Sequence, residues 1–135
     1  MAFVHGKNTV ITLDGDDLSA FTNTSELTRG ADTHDVTCYG ATDHVFSGGL
    51  GKGTASMGGV YDNTAATGPR AVIEPVIGTV VTLIRKPEGT GAGKPQDSVS
   101  VVVEEYVETS PVADMVTWSV KLLMSGAVTS TTQGA

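Results

Sequence analysis

Polar and apolar residues alternate with a period of two along much of this chain, most plainly toward its C-terminal end. Between Ser98 and Glu108 one parity holds Val99, Val101, Val103 and Val107, and the other holds Ser98, Ser100, Glu104 and Glu108. That is the pattern of a strand with one buried and one wet face. From Met115 to Met124 it repeats: Val116, Trp118, Val120, Leu122 and Met124 point one way, while Thr117, Ser119 and Lys121 share the other face with Met115 and Leu123. Ser110-Pro111-Val112-Ala113-Asp114 joins the two runs, which predicts an antiparallel hairpin with strands of roughly ten residues, against the usual five or six.

Shorter β-rich runs precede the hairpin. Asn8 to Leu13 is one, stopped by the turn sequence Asp14-Gly15-Asp16-Asp17. Leu18 to Phe21 and Ser25 to Thr28 flank the turn-like Thr22-Asn23-Thr24, and Asp35 to Tyr39 resumes the pattern after the break at Arg29 to Asp32. Residues 40–53 are rich in glycine and polar residues and read as a long loop, of the kind that is functional or ordered by a partner. Thr54 to Tyr61 reads as a strand whose Gly58-Gly59 pair marks a bulge or a close backbone approach. A helix is expected over about 65–77, with Pro69 in its first turn and Pro75 shortening or kinking its end. Thr79 to Arg85 is apolar on both faces and predicts a central strand. Residues 86–97 predict a mobile hairpin loop, and 129–135 a flexible polar tail. With no internal repeat, residues 1–135 read as a single domain.

Composition strengthens the all-β reading. The chain holds 18 Val, 19 Thr and 17 Gly among its 135 residues, and β-branched residues punctuated by glycine favour strands and turns. Hydrophobic residues are 39% and aromatic ones 5%, a thin core for a lone domain, which points to self-association. Fifteen Asp and Glu against eight Lys and Arg give a net charge of −7. So few cations argue against binding nucleic acid or anionic lipid, because phosphate contacts need Lys or Arg. The N-terminal residues lack a signal-peptide pattern and no stretch is long and apolar enough to span a membrane, so the chain is expected to be made in the cytosol, without a membrane partner.

Catalytic and metal-binding motifs are not assembled. Cys38 is the sole cysteine, which excludes an internal disulfide, and it lacks a neighbouring base. The Gly-Lys pairs at Lys52 and Lys94 miss the phosphate-loop spacing, since Gly53 and Pro95 follow them. Asp14 to Asp17 lacks the glycine and the glutamate that complete a calcium loop, with Ser25 standing at the twelfth position. His5, His34 and His44 have no partner at helical ligand spacing. The expectation is a protein that is not an enzyme and has no cofactor and no metal.

The order of several β motifs resembles a known family. Leu13-Asp14-Gly15, Asp17-Leu18-Ser19-Ala20, Asp35-Val36-Thr37, Tyr39-Gly40, Gly49-Leu50, Ser56-Met57-Gly58-Gly59-Val60-Tyr61-Asp62 and Asp114 to Val120 running on to Ser125-Gly126-Ala127-Val128 are similar to the major tail tube proteins of bacteriophages with long, non-contractile tails. The resemblance covers about residues 8 to 128 and lies in the order of the motifs, because each alone is a common β sequence.

The resemblance implies a mainly β fold, an antiparallel β-sandwich or partial barrel with one flanking helix, whose long hairpin contributes to an oligomeric β-barrel tube. It implies hexameric rings stacked into a conduit for genome ejection, in a virion tail assembled in the host cytoplasm. The implied partners are other copies of the chain and tail proteins such as the tape measure, terminator and distal tail proteins, with DNA passing through unbound. Residues 40–53 would match the loop that reaches a neighbouring ring, through Gly40, His44, Phe46, Gly49, Leu50 and Lys52. A lumen lined by carboxylates repels DNA phosphates, and Glu104 and Glu108, which share a polar parity, lead Glu105 and Asp97 as its expected lining. Alternatives are a capsid decoration or tail terminator protein on the same fold, or a monomeric β-sandwich binding module. The last is disfavoured by a single Trp and three Tyr, too few for a stacking platform.

Overall fold

The computed structural model describes residues 6–63 and 68–133. Among these residues eight strands form one antiparallel sheet: β1 (Val10–Leu13), β2 (Asp16–Asp17), β3 (Thr24–Asp35), β4 (Phe46–Val60), β5 (Val80–Lys86), β6 (Pro95–Thr109), β7 (Thr117–Met124) and β8 (Thr129–Thr132). Their order is β2-β1-β5-β6-β7-β4-β3, with β8 also paired to β6. One short helix, α1 (Pro69–Ile73), runs on into a 3-10 turn over Glu74–Val76. Although three strands separate β5 from β3 in the sheet, Arg85 Nε on β5 donates to Ser25 Oγ on β3 at 3.4 Å. The sheet therefore curls over on itself as an open, partial barrel.

The core fills the inside of that curl. Ile11 and Leu13 of β1, Leu83 of β5, Val99, Val101 and Val103 of β6, Trp118, Val120 and Leu122 of β7 and Met57 of β4 are buried with Val72 and Ile73 of α1. These are the inward parities read from the sequence for β7 and for the first half of β6. Trp118 Nε1 donates to the Phe21 carbonyl at 3.1 Å, which meets the indole's need for a partner when buried. Strand β5 is central as expected, paired to β1 on one side and β6 on the other.

The second half of β6 departs from the simple alternation. Val103 pairs with Leu122 but Glu105 pairs with Lys121, so Glu104 is an extra, bulged residue. A bulge shifts the pleat by one residue. Beyond it Tyr106, opposite Val120, and Glu108, opposite Trp118, take the core side, while Val107 turns outward and is 37% exposed. The expected parity therefore holds from Val99 to Val103 and inverts from Glu105 onward.

Four segment boundaries are corrected. The long loop expected over 40–53 is loop only to Val45, because Phe46 to Gly53 continue β4 and pair with β3. That ribbon is exposed on both faces, so it carries no apolar alternation to reveal it. The helix expected over about 65–77 is helical from Pro69, and residues 65–67 lie outside those described. The hairpin loop expected to be mobile over 86–97 begins and ends in strand, and Gln133 clamps its tip. The Gln133 amide donates to Gly89 O at 2.7 Å and accepts from Gly91 N at 3.1 Å, and its backbone bonds Gly93 and Lys94. The tail expected to be loose supplies β8 over Thr129–Thr132, on β6. Residues 134–135 lie outside those described.

The Gly58-Gly59 pair marks a close approach, as its spelling suggested. A Cβ at Gly59 would collide with the carbonyl of Phe21, the same group that accepts from Trp118, whereas a Cβ at Gly48 in the exposed ribbon meets nothing within 4 Å. Gly59→Ala is expected to destabilise the protein by about 2 kcal/mol or more, and Gly48→Ala to change stability by no more than about 0.5 kcal/mol. Urea unfolding followed by Trp118 fluorescence separates the two.

Candidate assembly surfaces

Four consecutive strands, β6, β7, β4 and β3, make a wall with an open edge at each end. Strand β3 pairs with β4 alone along its whole length. On the other side, β5 covers β6 only as far as Val102, so from Glu104 to Thr109 the far edge of β6 has no strand beside it among the described residues. Open edges of this length present unpaired N–H and C=O groups and invite another strand. The two edges differ in sequence and position, so pairing one with the other is heterologous, the contact type that closes into rings.

The wall's second face is polar. Register sets Glu26, Ser56, Lys121 and Glu105 in one row across β3, β4, β7 and β6, flanked by the rows Thr28, Thr54, Leu123, Val102 and Thr24, Gly58, Ser119, Val107. Lys121 Nζ also lies 3.9 Å from the bulged Glu104. Three carboxylates thus share these rows with one ammonium, a net charge of 1 − 3 = −2.

The bulge re-sorts the acidic residues expected to line a lumen. Glu104 and Glu105 lie on the polar face. Glu108 does not share it: the parity inversion turns it to the core side, where Arg70 Nη1 approaches it at 4.0 Å. Asp97 is 8% exposed and so cannot serve as a surface carboxylate in this protomer. It accepts from Ser130 Oγ of β8 at 2.7 Å, and Arg29 of β3 bonds the same Ser130 at 3.0 Å. Glu26 and Lys121 were missed, because no motif in the sequence shows that β3 and β7 put them in one row.

Beyond Gly53 the β3–β4 hairpin leaves the body as a two-stranded arm, since β7 pairs with β4 only from Thr54 onward. Its base is tied by Lys52 to Asp32 at 3.0 Å. Near the tip Asp35 accepts from Thr37 N at 2.9 Å, Thr37 Oγ1 accepts from Val45 N at 2.8 Å, and His44 Nδ1 lies 3.4 Å from Asp35. The Thr37 hydrogen bonds, with a smaller one from His44, hold the Asp35 carboxyl below its ordinary value. Gly40 takes a φ of +88° at the tip, where a side chain would be strained. The surface so braced is apolar: Tyr39 is fully exposed, Leu50 is 80% and Phe46 62% exposed, with Val36 and Val45 beside them. Gly40, His44, Phe46, Gly49, Leu50 and Lys52 therefore sit on one arm, and Val36, Tyr39 and Val45 join them although only their apolar character in a polar stretch hinted at it.

No family model matches the sequence, and no curated protein matches it. Solved structures do. One chain in the virion of a native gene transfer agent particle superposes over 96% of this chain and 99% of its own, with a TM-score of 0.78 at 15% identity. A chain in the tail of an empty gene transfer agent particle, refined with C6 symmetry, matches 96% of this chain and 99% of its own, with a TM-score of 0.77 at 18% identity. The SPP1 tail tube matches 98% of this chain and 81% of its own, with a TM-score of 0.78 at 12% identity. The fold is the tail tube fold. Agreement at such low identity is agreement of backbone rather than of particular side chains.

Within the tail tube fold one polar group of this chain is strained energetically. Tyr106 stacks on Trp118, ring centroids 6.2 Å apart, and its hydroxyl is buried without a well-formed hydrogen bond among the described residues, Glu108 offering only a weak one. Burial, and then the neighbouring Glu108 carboxylate, push the phenol well above its ordinary range. Removing an unsatisfied buried hydroxyl removes its desolvation cost. Tyr106→Phe is therefore expected to leave the fold unchanged and to raise stability by up to about 1 kcal/mol, read from the midpoint of urea unfolding.

Proposed function

We propose that this protein is the subunit of a tail tube: a structural virion protein that closes into rings, stacks them, and so forms the conduit through which a genome leaves. The observation that carries the reading is the four-strand wall with two open edges, in a chain that superposes on the SPP1 tail tube over nearly its whole length. Pairing the β3 edge of one copy with the Glu104–Thr109 edge of the next continues the wall around a ring and leaves neither of the wall's two edges open. Six copies are favoured by the C6 symmetry of the gene transfer agent tail. Ring closure puts the body, with α1 and the core, outside, and turns the wall's polar face toward the lumen.

On this reading the lumen lining is Glu104, Glu105, Glu26 and Lys121, flanked by rows that mix Thr and Ser with Leu123, Val102, Gly58 and Val107, and Glu108 and Asp97 are excluded from it. The net negative face repels DNA phosphates, so a duplex slides without sticking. The exposed arm fits a role in reaching another ring. The ends of the stack would meet the terminator and distal tail proteins, and the lumen would hold the tape measure during assembly in the host cytoplasm. A terminator built on the same fold would stop at a single ring, so polymerisation discriminates the two.

Electron microscopy of the purified protein is expected to show long hollow tubes; a uniform 13.8 kDa monomer at high concentration would overturn the reading. Tyr39→Ser/Phe46→Ser/Leu50→Ser is expected to abolish tubes while changing protomer stability by no more than about 1 kcal/mol, because exposed side chains contribute little to the isolated fold. Glu104→Lys/Glu105→Lys takes the lining from −2 to 3 − 1 = +2 per subunit. Such tubes are expected to retain short duplex DNA at low salt and release it at high salt, where wild-type tubes retain none, as co-sedimentation reports.

A further inference from the structure

Strand β3 supplies an assembly edge, yet little ties it to the body of its own protomer. It pairs with β4 alone, and among the described residues Leu27 is its one side chain packed against the core. A cleft of about 470 Å³ separates its start from β1 and β5, with Lys7, Ser19, Ser25 and Arg85 in the lining. Another of about 470 Å³ opens at the root of the arm, beside Arg29, Met124 and Val128. What crosses from β3 to the body beside these spaces is polar.

Register places Arg85, Asp97 and Ser130 in one row across β5, β6 and β8. Directly opposed residues share a face of the sheet, and Asp97 has the parity of the buried Val99 and Val101, so the row lies on the core side. Strand β3 meets this row twice. Arg85 Nε donates to Ser25 Oγ at 3.4 Å, and Arg29 Nη1 donates to Ser130 Oγ at 3.0 Å. Ser130 Oγ in turn donates to Asp97 Oδ1 at 2.7 Å, and that oxygen lies 3.9 Å from Arg29 Nη1. Asp97 is the one charged residue buried among the described residues, and Arg85 stands opposite it.

We infer that this row fixes the direction in which the β3 edge leaves the protomer, and with it the number of copies that closes a ring, Arg29 being the positioning residue. The inference rests on the tube reading. A ring closes only if every copy turns the wall by the same fraction of a full turn, and that fraction depends on where β3 stands relative to β6 within one copy. Apolar burial is non-directional, so the Leu27 contact alone lets β3 slide and tilt. A charge-assisted hydrogen-bond network is directional and does not. Any tilt that carries β3 away from the body withdraws the Arg29 guanidinium from a buried carboxylate, which is strongly unfavourable. The backbone edge of β3 stays free for the neighbouring copy, because the row engages side chains of its core face only.

The test uses the full chain and reads the rotational symmetry of end-on rings and the diameter of tubes by electron microscopy. Wild-type protein is expected to show a single symmetry. Arg29→Gln, at a side chain 53% exposed, is expected to keep the fold but to give rings of several sizes or open arcs. Asp97→Asn, which keeps an acceptor for Ser130 but removes the charge, is expected to show the same spread. Arg29→Lys restores a cation beside Asp97 and is expected to recover the wild-type symmetry. Arg29→Gln rings of wild-type symmetry and diameter would overturn the inference, whether or not Asp97→Asn folds; with a lowered midpoint of urea unfolding, that result would reduce the row to a stabilising contact. An Arg29→Lys variant as heterogeneous as Arg29→Gln would overturn it too, as would wild-type rings of mixed symmetry. Wild-type protein that forms neither rings nor tubes would instead overturn the tube reading itself.

Discussion

A strand of fifteen residues cannot be covered by neighbours of seven and eight. β6 runs from Pro95 to Thr109, while β5 has seven residues and β7 eight. Its first half is paired with β8 over Pro95–Ser98 and with β5 over Asp97–Val102, and lies over the core. Its second half keeps β7 but loses β5, so a backbone edge is left facing outward. The same inequality recurs in β4, also fifteen residues long, whose first eight residues outrun β7 and become the arm. Overlong strands thus generate both assembly features, the open edge and the arm. The short β1, β2 and β8 finish the body around them.

The bulge at Glu104 sits where β6 changes duty. Before it, Val99, Val101 and Val103 pack inward over a core that a single protomer completes; after it, the inward residues are Tyr106 and Glu108, near Arg70 and Trp118. Shifting the pleat by one residue costs a ladder position but sends two consecutive carboxylates to the polar face, one on each side of Lys121's reach. Without the bulge, Glu104 and Val103 would keep their faces but Glu105 would point to the core, where an unpaired charge is strongly unfavourable. The bulge is therefore a device that places acid where acid can be solvated.

This accounts for what could be read directly from the chain. Alternation revealed β7 completely and β6 as far as Val103, because burial against Leu122 and Trp118 enforces it. The fold family was legible in the order of turns and strand motifs. Glu108 was misassigned because a period-two count cannot see an inserted residue, and Asp97 because its partners, Ser130 and Arg29, come from strands far away in sequence. The Phe46–Gly53 extension was read as loop because a ribbon wet on both faces has no apolar rhythm, and β8 was read as tail because its four residues, all Thr and Ser, are exposed. Sites that depend on a second copy leave the weakest trace of all, since nothing within one chain buries them.

Net charge is the property that the fold redistributes most. Taken as a bulk number, −7 only disfavours association of like copies and contact with phosphate. Resolved by position, it separates into a mildly negative wall, a turn bearing three carboxylates, and a cleft whose described lining holds Lys7 and Arg85 and no carboxylate. On the proposed tube reading, the wall then stays repulsive to a polyanion. That requires the cations to be concentrated rather than spread, and Lys121 is the lone cation in the three polar rows, set between carboxylates. An even distribution of the same fifteen acids and eight bases would leave no such separation of charge.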